Sequence, residues 1–433
     1  MRPNVHGLGV WPILKYMVAV TALLASLAFF TGLVLGFAYA DKRRLDRLIV
    51  WSGIALGIVA GFTVFGVRMY DPKGMNLPLT RFNRWVLIAL AVIAAAVALW
   101  TLLSLLTEEC RGAWKTFGLL LMTSLIAVSL MYYVPSILQF TREFVYFGES
   151  GVSTKALLRA IGFTFGLVLA FLVTLSALMV HSAAGTRAKR FFLLCSALLF
   201  VGSYGFKAVA AMQRMKLIPL TDFVFQLMIW GDEYENWFVY GQMLLALVML
   251  ACVVATHLHP QGEFANRALL RKEKARLRDC RRWSWSMLAW GIVTVFTLTV
   301  LHYYDTKPAA EVVPEPYDMV DGIIRVDLTK VSDGHLHKFE YLTPNNYNVR
   351  FLVVKKTVGT SYGVGLDACE ICGIAGYFER GDDIVCRRCD VVMNKNTIGF
   401  KGGCNPLPFA FDVKDGYIYI NPDELSRQER RFR

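Results

Sequence analysis

Five of the chain's nine cysteines fall within 36 residues: Cys369, Cys372, Cys386, Cys389 and Cys404. Four of them form two pairs, Cys369-x-x-Cys372 and Cys386-x-x-Cys389, with thirteen residues between the pairs. This spacing lets both thiolates of a pair reach one ion from a tight turn. Two such turns complete a tetrahedral sulfur shell of the zinc-ribbon or rubredoxin kind. Gly373, Gly376 and Gly381 stand where such turns need them, and Gly402-Gly403-Cys404-Asn405-Pro406 adds a fifth sulfur on a backbone able to approach closely. Five thiols therefore compete for four positions. Asp367, two residues before Cys369, is placed to accept hydrogen bonds from the first turn or to orient a ligand. Spacing alone leaves structural zinc, an iron or iron-sulfur centre, and disulfides open. Disulfides are the least favoured, because a CxxC pair suits metal or redox chemistry better than the stapling of long loops.

The elements that must position these sulfurs begin after Tyr304, where the composition changes. A proline- and acid-rich tether over residues 305–320 leads into short β-type runs at 323–328, 335–342, 349–355 and 417–420. Residues 321–433 are thus expected to form a small, mainly β, cysteine-rich metal-binding domain. Its core is modest, so a metal staple is expected. His335 and His337 would share one face of a strand, which makes them further candidate ligands for copper or zinc.

Residues 1–304 have a different character. The whole chain of 433 residues is 55% hydrophobic and 18% charged, which is too apolar for a soluble protein of this size. About 20 apolar residues span a bilayer, and eight stretches meet or nearly meet that length: 17–40, 48–67, 85–106, 116–140, 160–180, 191–212, 237–256 and 283–304. The fold class is therefore a polytopic α-helical membrane protein of about eight transmembrane helices, with the β domain at its C-terminus. Pro135 is tolerable as a kink, and Lys207, near a span end, can snorkel. Residues 217–230 are too short to cross and are read as interfacial or re-entrant. The mixed-charge stretch 263–282 is read as a helix lying along the membrane surface.

Charge sets the orientation. The loops after spans 1, 3, 5 and 7 hold 17 Lys and Arg against 12 on the other face. The positive-inside rule puts them in the cytoplasm and both termini outside, which in a double-membrane bacterium is the periplasm. The positive surplus lies within residues 1–310, where 30 basic residues face 15 acidic ones, and this argues against nucleic acid as a partner. His181 and His257 lie at matching depth, as axial haem ligands would, but boundary histidines are far commoner and haem is not favoured. Glu143 and Lys207 are candidate residues of a membrane pathway. No phosphate loop, nucleophile elbow, dinucleotide fingerprint or zinc-protease motif is present, so an electron carrier or accessory protein is favoured over a substrate-transforming enzyme.

The sequence Leu366-Asp367-Ala368-Cys369-Glu370-Ile371-Cys372-Gly373, followed by Gly376-Tyr377, Val385-Cys386-Arg387-Arg388-Cys389 and Gly402-Gly403-Cys404-Asn405-Pro406, resembles the C-terminal domain of FtrD-like membrane iron-sulfur proteins. The segments 333–339 and 349–351 resemble it too, so the likeness covers about residues 320–425. One departure is Asp390, where relatives often have glycine after the second pair. The resemblance implies a metal centre, electron transfer, and a place in bacterial iron uptake beside an iron permease and a periplasmic metal-binding protein. Two other readings remain open: a structural-zinc docking or assembly protein for a permease, and a metal transporter in its own right.

Overall fold

The computed structural model describes residues 11–40, 43–70, 78–107, 112–142, 144, 153–256, 266–306, 313–357, 359–380, 383–388 and 391–432. It resolves into two compact units, one helical and one built from short strands.

The helical unit contains α1 (Trp11–Tyr39), α2 (Arg44–Tyr70), α3 (Leu79–Leu106), α4 (Gly112–Thr141), α5 (Thr154–Ala183), α6 (Thr186–Arg214), α7 (Asp222–Glu233), α8 (Glu235–Thr256) and α9 (Arg267–Phe296). Eight helices, all of these except α7, are long and apolar enough to cross a membrane, and they coincide with the eight expected spans. The chain is a multi-pass membrane protein, and a lipid bilayer is its surrounding. At 12 residues, α7 rises only about 18 Å at about 1.5 Å per residue and is too short to cross. α1 is the most enclosed helix, with 67% of its apolar window buried, against 22% for α2.

Small residues let the helices approach, since between lipid-soluble helices close packing takes the place of the hydrophobic drive. Gly53, Gly57 and Gly61 form one stripe of α2 pressed on α4, where a Cβ at Gly57 would stand 2.6 Å from the carbonyl oxygen of Ala127. Pro135 lies inside α4 without ending it. Buried charged groups described in this unit find polar partners, as burial demands. Asp46 and Lys115, both buried, form a 2.7 Å ion pair between the starts of α2 and α4, while Arg190 donates to the carbonyl of Ser104.

One expectation fails in this unit. Residues 267–282 are not a separate helix along the membrane surface; they are the first turns of α9, which runs on without a break into the last apolar stretch. No glycine or proline interrupts 267–290 to turn the chain, and Asn266 caps the helix by accepting from the Leu269 amide at 2.8 Å. Past Phe296 the helix continues as a π-helical turn, Thr297–Leu301, and as α10 (His302–Thr306).

The second unit is layered. β1 (Asp318–Val320), β2 (Ile323–Asp327), β10 (Tyr417–Ile420) and β9 (Asp412–Lys414) form one antiparallel sheet in the order β1-β2-β10-β9. β3 (His337–Leu342), β4 (Asn348–Lys355) and β5 (Tyr362–Leu366) form a second, and β6 (Tyr377–Arg380), β7 (Asp383–Cys386) and β8 (Val392–Met393) a third. A one-turn helix, α11 (Pro422–Ser426), follows β10. β4 is buried on both faces, and its period-two alternation feeds two cores. Val349, Phe351 and Val353 join Ile324, Val326, Ile418 and Ile420 on one side. Leu352 and Val354 join the cysteines on the other. Residues 313–320, part of the expected tether, are held on this unit through β1 and through the Glu315 amide, which donates to Lys338 O at 2.7 Å.

Candidate metal centre

Cys369, Cys372 and Cys386 are all buried, and their sulfurs lie within 4.8 Å of one another. A tetrahedral thiolate shell with bonds of about 2.3 Å has edges of about 3.8 Å, so the trio is close to the spacing one ion requires. Local chemistry explains the approach. Cys369 and Gly373 exchange both backbone hydrogen bonds at 3.1 Å, which folds residues 369–373 into a tight turn. Gly373 closes that turn with φ +65°, a conformation in which a side chain would be strained. Cys386 arrives from the other side at the end of β7, in register with Tyr377 of β6.

The first of these thiols, Cys369, sits in an environment that favours thiolate. The Cys372 amide donates to Cys369 Sγ at 3.1 Å. Burial pushes the Cys369 thiol up, but hydrogen bonds from the Cys372 and Ile371 amides and from the Tyr377 hydroxyl outweigh it and leave the thiol below its ordinary range. Tyr377 is fully buried, and burial together with the nearby sulfur of Cys369 pushes its phenol far up, so it stays a proton donor. That single O–H is shared with the carbonyl oxygen of Cys404, 2.5 Å away.

Cys404 is half-buried against the same cluster but is not one of the three sulfurs within mutual reach. The Gly-Gly-Cys-Asn-Pro segment is brought alongside by Leu407, whose carbonyl accepts from Leu366 and whose amide donates to Ala368. Cys389, the expected fourth ligand, lies outside the described residues. No disulfide joins the described cysteines. Three converging thiols in a partly apolar pocket, one of them stabilised as thiolate, are a donor set suited to zinc or to iron.

Asp367 is buried, and the bonds described for it go to β6 and β3, not to the amides of the first turn. Its Oδ1 accepts from the Tyr377 amide at 2.8 Å and its Oδ2 binds Lys338 Nζ at 2.8 Å. A Cβ at Gly376 would stand 2.7 Å from that Oδ2, so glycine is required there for space as well as for its φ of +79°. Lys338 and the Tyr377 hydroxyl are contributions that spacing gave no means to find: the first is 29 residues from its partner, and the second acts only once β6 is folded over the turn.

The histidine pair is not brought together as a ligand pair. β3 begins at His337, so His335 precedes the strand and the shared-face argument does not apply. His335 Nδ1 meets Glu379 at 3.1 Å, whereas both nitrogens of His337 meet carboxylates at 2.8 Å, Nδ1 with Glu315 and Nε2 with Asp333. Each ring is engaged by carboxylates instead of by the other.

In the helical unit Lys207 forms a 2.6 Å ion pair with Glu235 at the start of α8. Three residues before Lys207 in α6, the Tyr204 hydroxyl meets that of Ser129 in α4 at 2.8 Å. Glu143 and His257 lie outside the described residues. His181 is buried, with Nε2 3.1 Å from Lys189 O.

No curated protein and no solved structure matches the chain. Residues 331–432, which include every thiol of the centre, match the family model described as "Membrane iron-sulfur containing protein FtrD-like".

Proposed function

We propose that this chain is a membrane-anchored iron or iron-sulfur protein that carries electrons, or serves as an accessory component, in a bacterial iron-uptake system. The observation that carries this reading is the group of three buried thiols converging under a tyrosine donor, in a chain that eight apolar helices tie to a bilayer. Bound iron would supply one-electron redox chemistry there, tuned by thiolate donation, burial and hydrogen bonds to sulfur.

The chain's own residues do the remainder. Cys369, Cys372 and Cys386, with Cys389 as fourth thiolate, hold the ion. The amides of Ile371 and Cys372 and the Tyr377 hydroxyl stabilise negative charge on Cys369. Leu352, Val354, Ile384 and Ile398 keep water from the sulfurs, and Asp367 holds β3 and β6 beside the first turn. In this proposal the cysteine-rich unit lies on the periplasmic side of the inner membrane, and its partners are an iron permease and a periplasmic metal-binding protein.

The test is anaerobic purification of the full chain followed by metal analysis, optical spectroscopy and redox titration. The expected protein is coloured, contains iron, and shows a reversible redox signal. A colourless protein with zinc would replace this reading with a docking role. Metal flux into liposomes containing this chain alone would replace it with transport. For sidedness, an alkaline-phosphatase fusion after residue 308 is expected to be active, and inactivity would reverse the orientation.

A further inference from the structure

Beside the thiol core the same unit opens a cleft of about 290 Å³, bordered by the charged side chains of Lys338, Glu340, Arg350, Asp367 and Arg387. Its position follows from strand alternation. The face of β4 that carries Leu352 and Val354 to the cysteines carries Arg350 further along, and Lys338 and Glu340 stand on the matching face of β3, opposite Leu352 and Arg350 in register. Asp367, two residues from Cys369, and Arg387, next to Cys386, complete the cleft.

Three cations therefore border it, against two carboxylates. One of these carboxylates, Asp367, is already saturated by Lys338 at 2.8 Å and by the Tyr377 amide. Arg350 stands 3.7 Å from the same Asp367 oxygen and donates to Ile374 O at 2.9 Å, which uses part of a five-donor fork. A lysine ammonium has three N–H donors, and among the described residues one is placed on Asp367. Burial lowers the Lys338 amine and outweighs the opposing pull of Asp367, and the charges of Arg387 and Arg350 add smaller repulsions in the same direction. Cations that share a partly enclosed cleft, as buried Lys338 does with the half-buried Arg350 and Arg387, are relieved by an anion.

Size and lining narrow the class. The volume falls just below the range of about 300–1,000 Å³ common for small-molecule sites, and Val313, Pro314 and Ala375 give it carbon surface as well as charge. We propose that this cleft binds a small organic anion with two or more carboxylates, placed beside the thiol centre by Lys338, Arg350 and Arg387. This does not depend on which metal the thiols hold.

The test measures binding of tricarballylate, a tricarboxylate without the hydroxyl that favours metal chelation, to the detergent-solubilised full chain by isothermal titration calorimetry. Inorganic phosphate and acetate serve as comparisons. Saturable binding that weakens with added salt is expected for tricarballylate. Arg350→Gln should weaken it about tenfold, the factor given by about 1.4 kcal/mol of lost charge-assisted hydrogen bonding. Glu340→Gln removes the one carboxylate not committed to Lys338 and should tighten binding severalfold, a gain that a misfolded variant cannot imitate. Absence of saturable tricarballylate binding would overturn the proposal, as would affinities indifferent to both substitutions. Phosphate or acetate binding as tightly as tricarballylate would overturn the assignment to organic polyanions.

Discussion

The two units handle polar groups in opposite ways. In the helical unit apolar surface is abundant, and buried charges are met locally, by an opposite charge or by a backbone carbonyl, so that helices can pack. Asp46 meets Lys115, Lys207 meets Glu235, and the glycine stripe of α2 brings backbones together. In the strand unit apolar surface is scarce, and the polar groups are the architecture. A single carboxylate, Asp367, ties β3 to the first cysteine turn and to β6, and sulfurs fill core positions that aliphatic side chains occupy elsewhere. Where a core is rich, a buried charge is a cost to be cancelled. Where it is poor, the same kind of group decides which segments meet.

The contrast is broken most severely at the sulfurs. Cys386→Ser in the full chain is expected to abolish metal binding and to loosen the strand unit while the helices stay intact. Cys404→Ser, outside the close trio, should leave the metal in place. Metal-to-protein ratio together with limited proteolysis reads both. Equal loss in the two variants would make Cys404 a ligand and redraw the shell.

The next largest effect belongs to the helices. Lys115→Met leaves Asp46 buried without its cation and should cost about 3–5 kcal/mol. The double variant Asp46→Leu/Lys115→Met should recover most of it, since a well-packed apolar pair can replace a buried ion pair. Thermal unfolding in detergent measures the cycle. A double variant as unstable as the single would mean that the pair has a role beyond mutual neutralisation. Gly57→Val should follow at about 1–3 kcal/mol, because its side chain meets the Ala127 backbone, whereas Gly66→Val, which faces open space, should be nearly silent.

The same contrast explains what could be read in advance. The eight spans were legible because length and apolarity are properties of contiguous residues, and α7 was recognisably too short. The break expected before the last span was absent, because charge alone does not end a helix when no residue at 267–290 disfavours one. In the strand unit β2, β3, β4 and β10 were visible from their β-branched and aromatic content. β5 was hidden by its glycines, which are there for space: a Cβ at Gly363 would meet Ile398, and one at Gly365 would meet Pro406, each at 2.9 Å. The third sheet, β6-β7-β8, lies outside the four β-type runs, in the stretch between the cysteine pairs and just after them. The close approach of Cys369, Cys372 and Cys386 agrees with the CxxC spacing, but Lys338 beside Asp367 and Tyr377 above Cys369 depend on strand pairing that no short motif encodes.

The smallest effect concerns the clasp between residues 313–320 and the strand unit. Burial acts to lower the His337 imidazole, but hydrogen bonds to Asp333 and Glu315 outweigh it and hold it above its usual 6.5. Asp333 is held below its usual 3.8: its own burial opposes this, and the bonds from His337 and the His335 amide prevail. The signs then follow from linkage. The histidine's contribution is fully present below about pH 6.5 and fades as pH rises through its folded value. The aspartate's is present above about pH 4 and fades as pH falls through its own. The clasp is therefore tightest between those limits, in mildly acidic solution. His337→Gln should flatten the alkaline side of a stability-against-pH curve by no more than about 1 kcal/mol, since both carboxylates are substantially exposed. Hydrogen exchange of residues 313–320 at pH 6 and pH 8 tests this directly. A lower protection factor at pH 8 than at pH 6, after correction for the faster intrinsic exchange at pH 8, is the expected pattern in the natural chain and should be absent in the variant, and equal protection at both pH values would mean that β1 alone holds the segment.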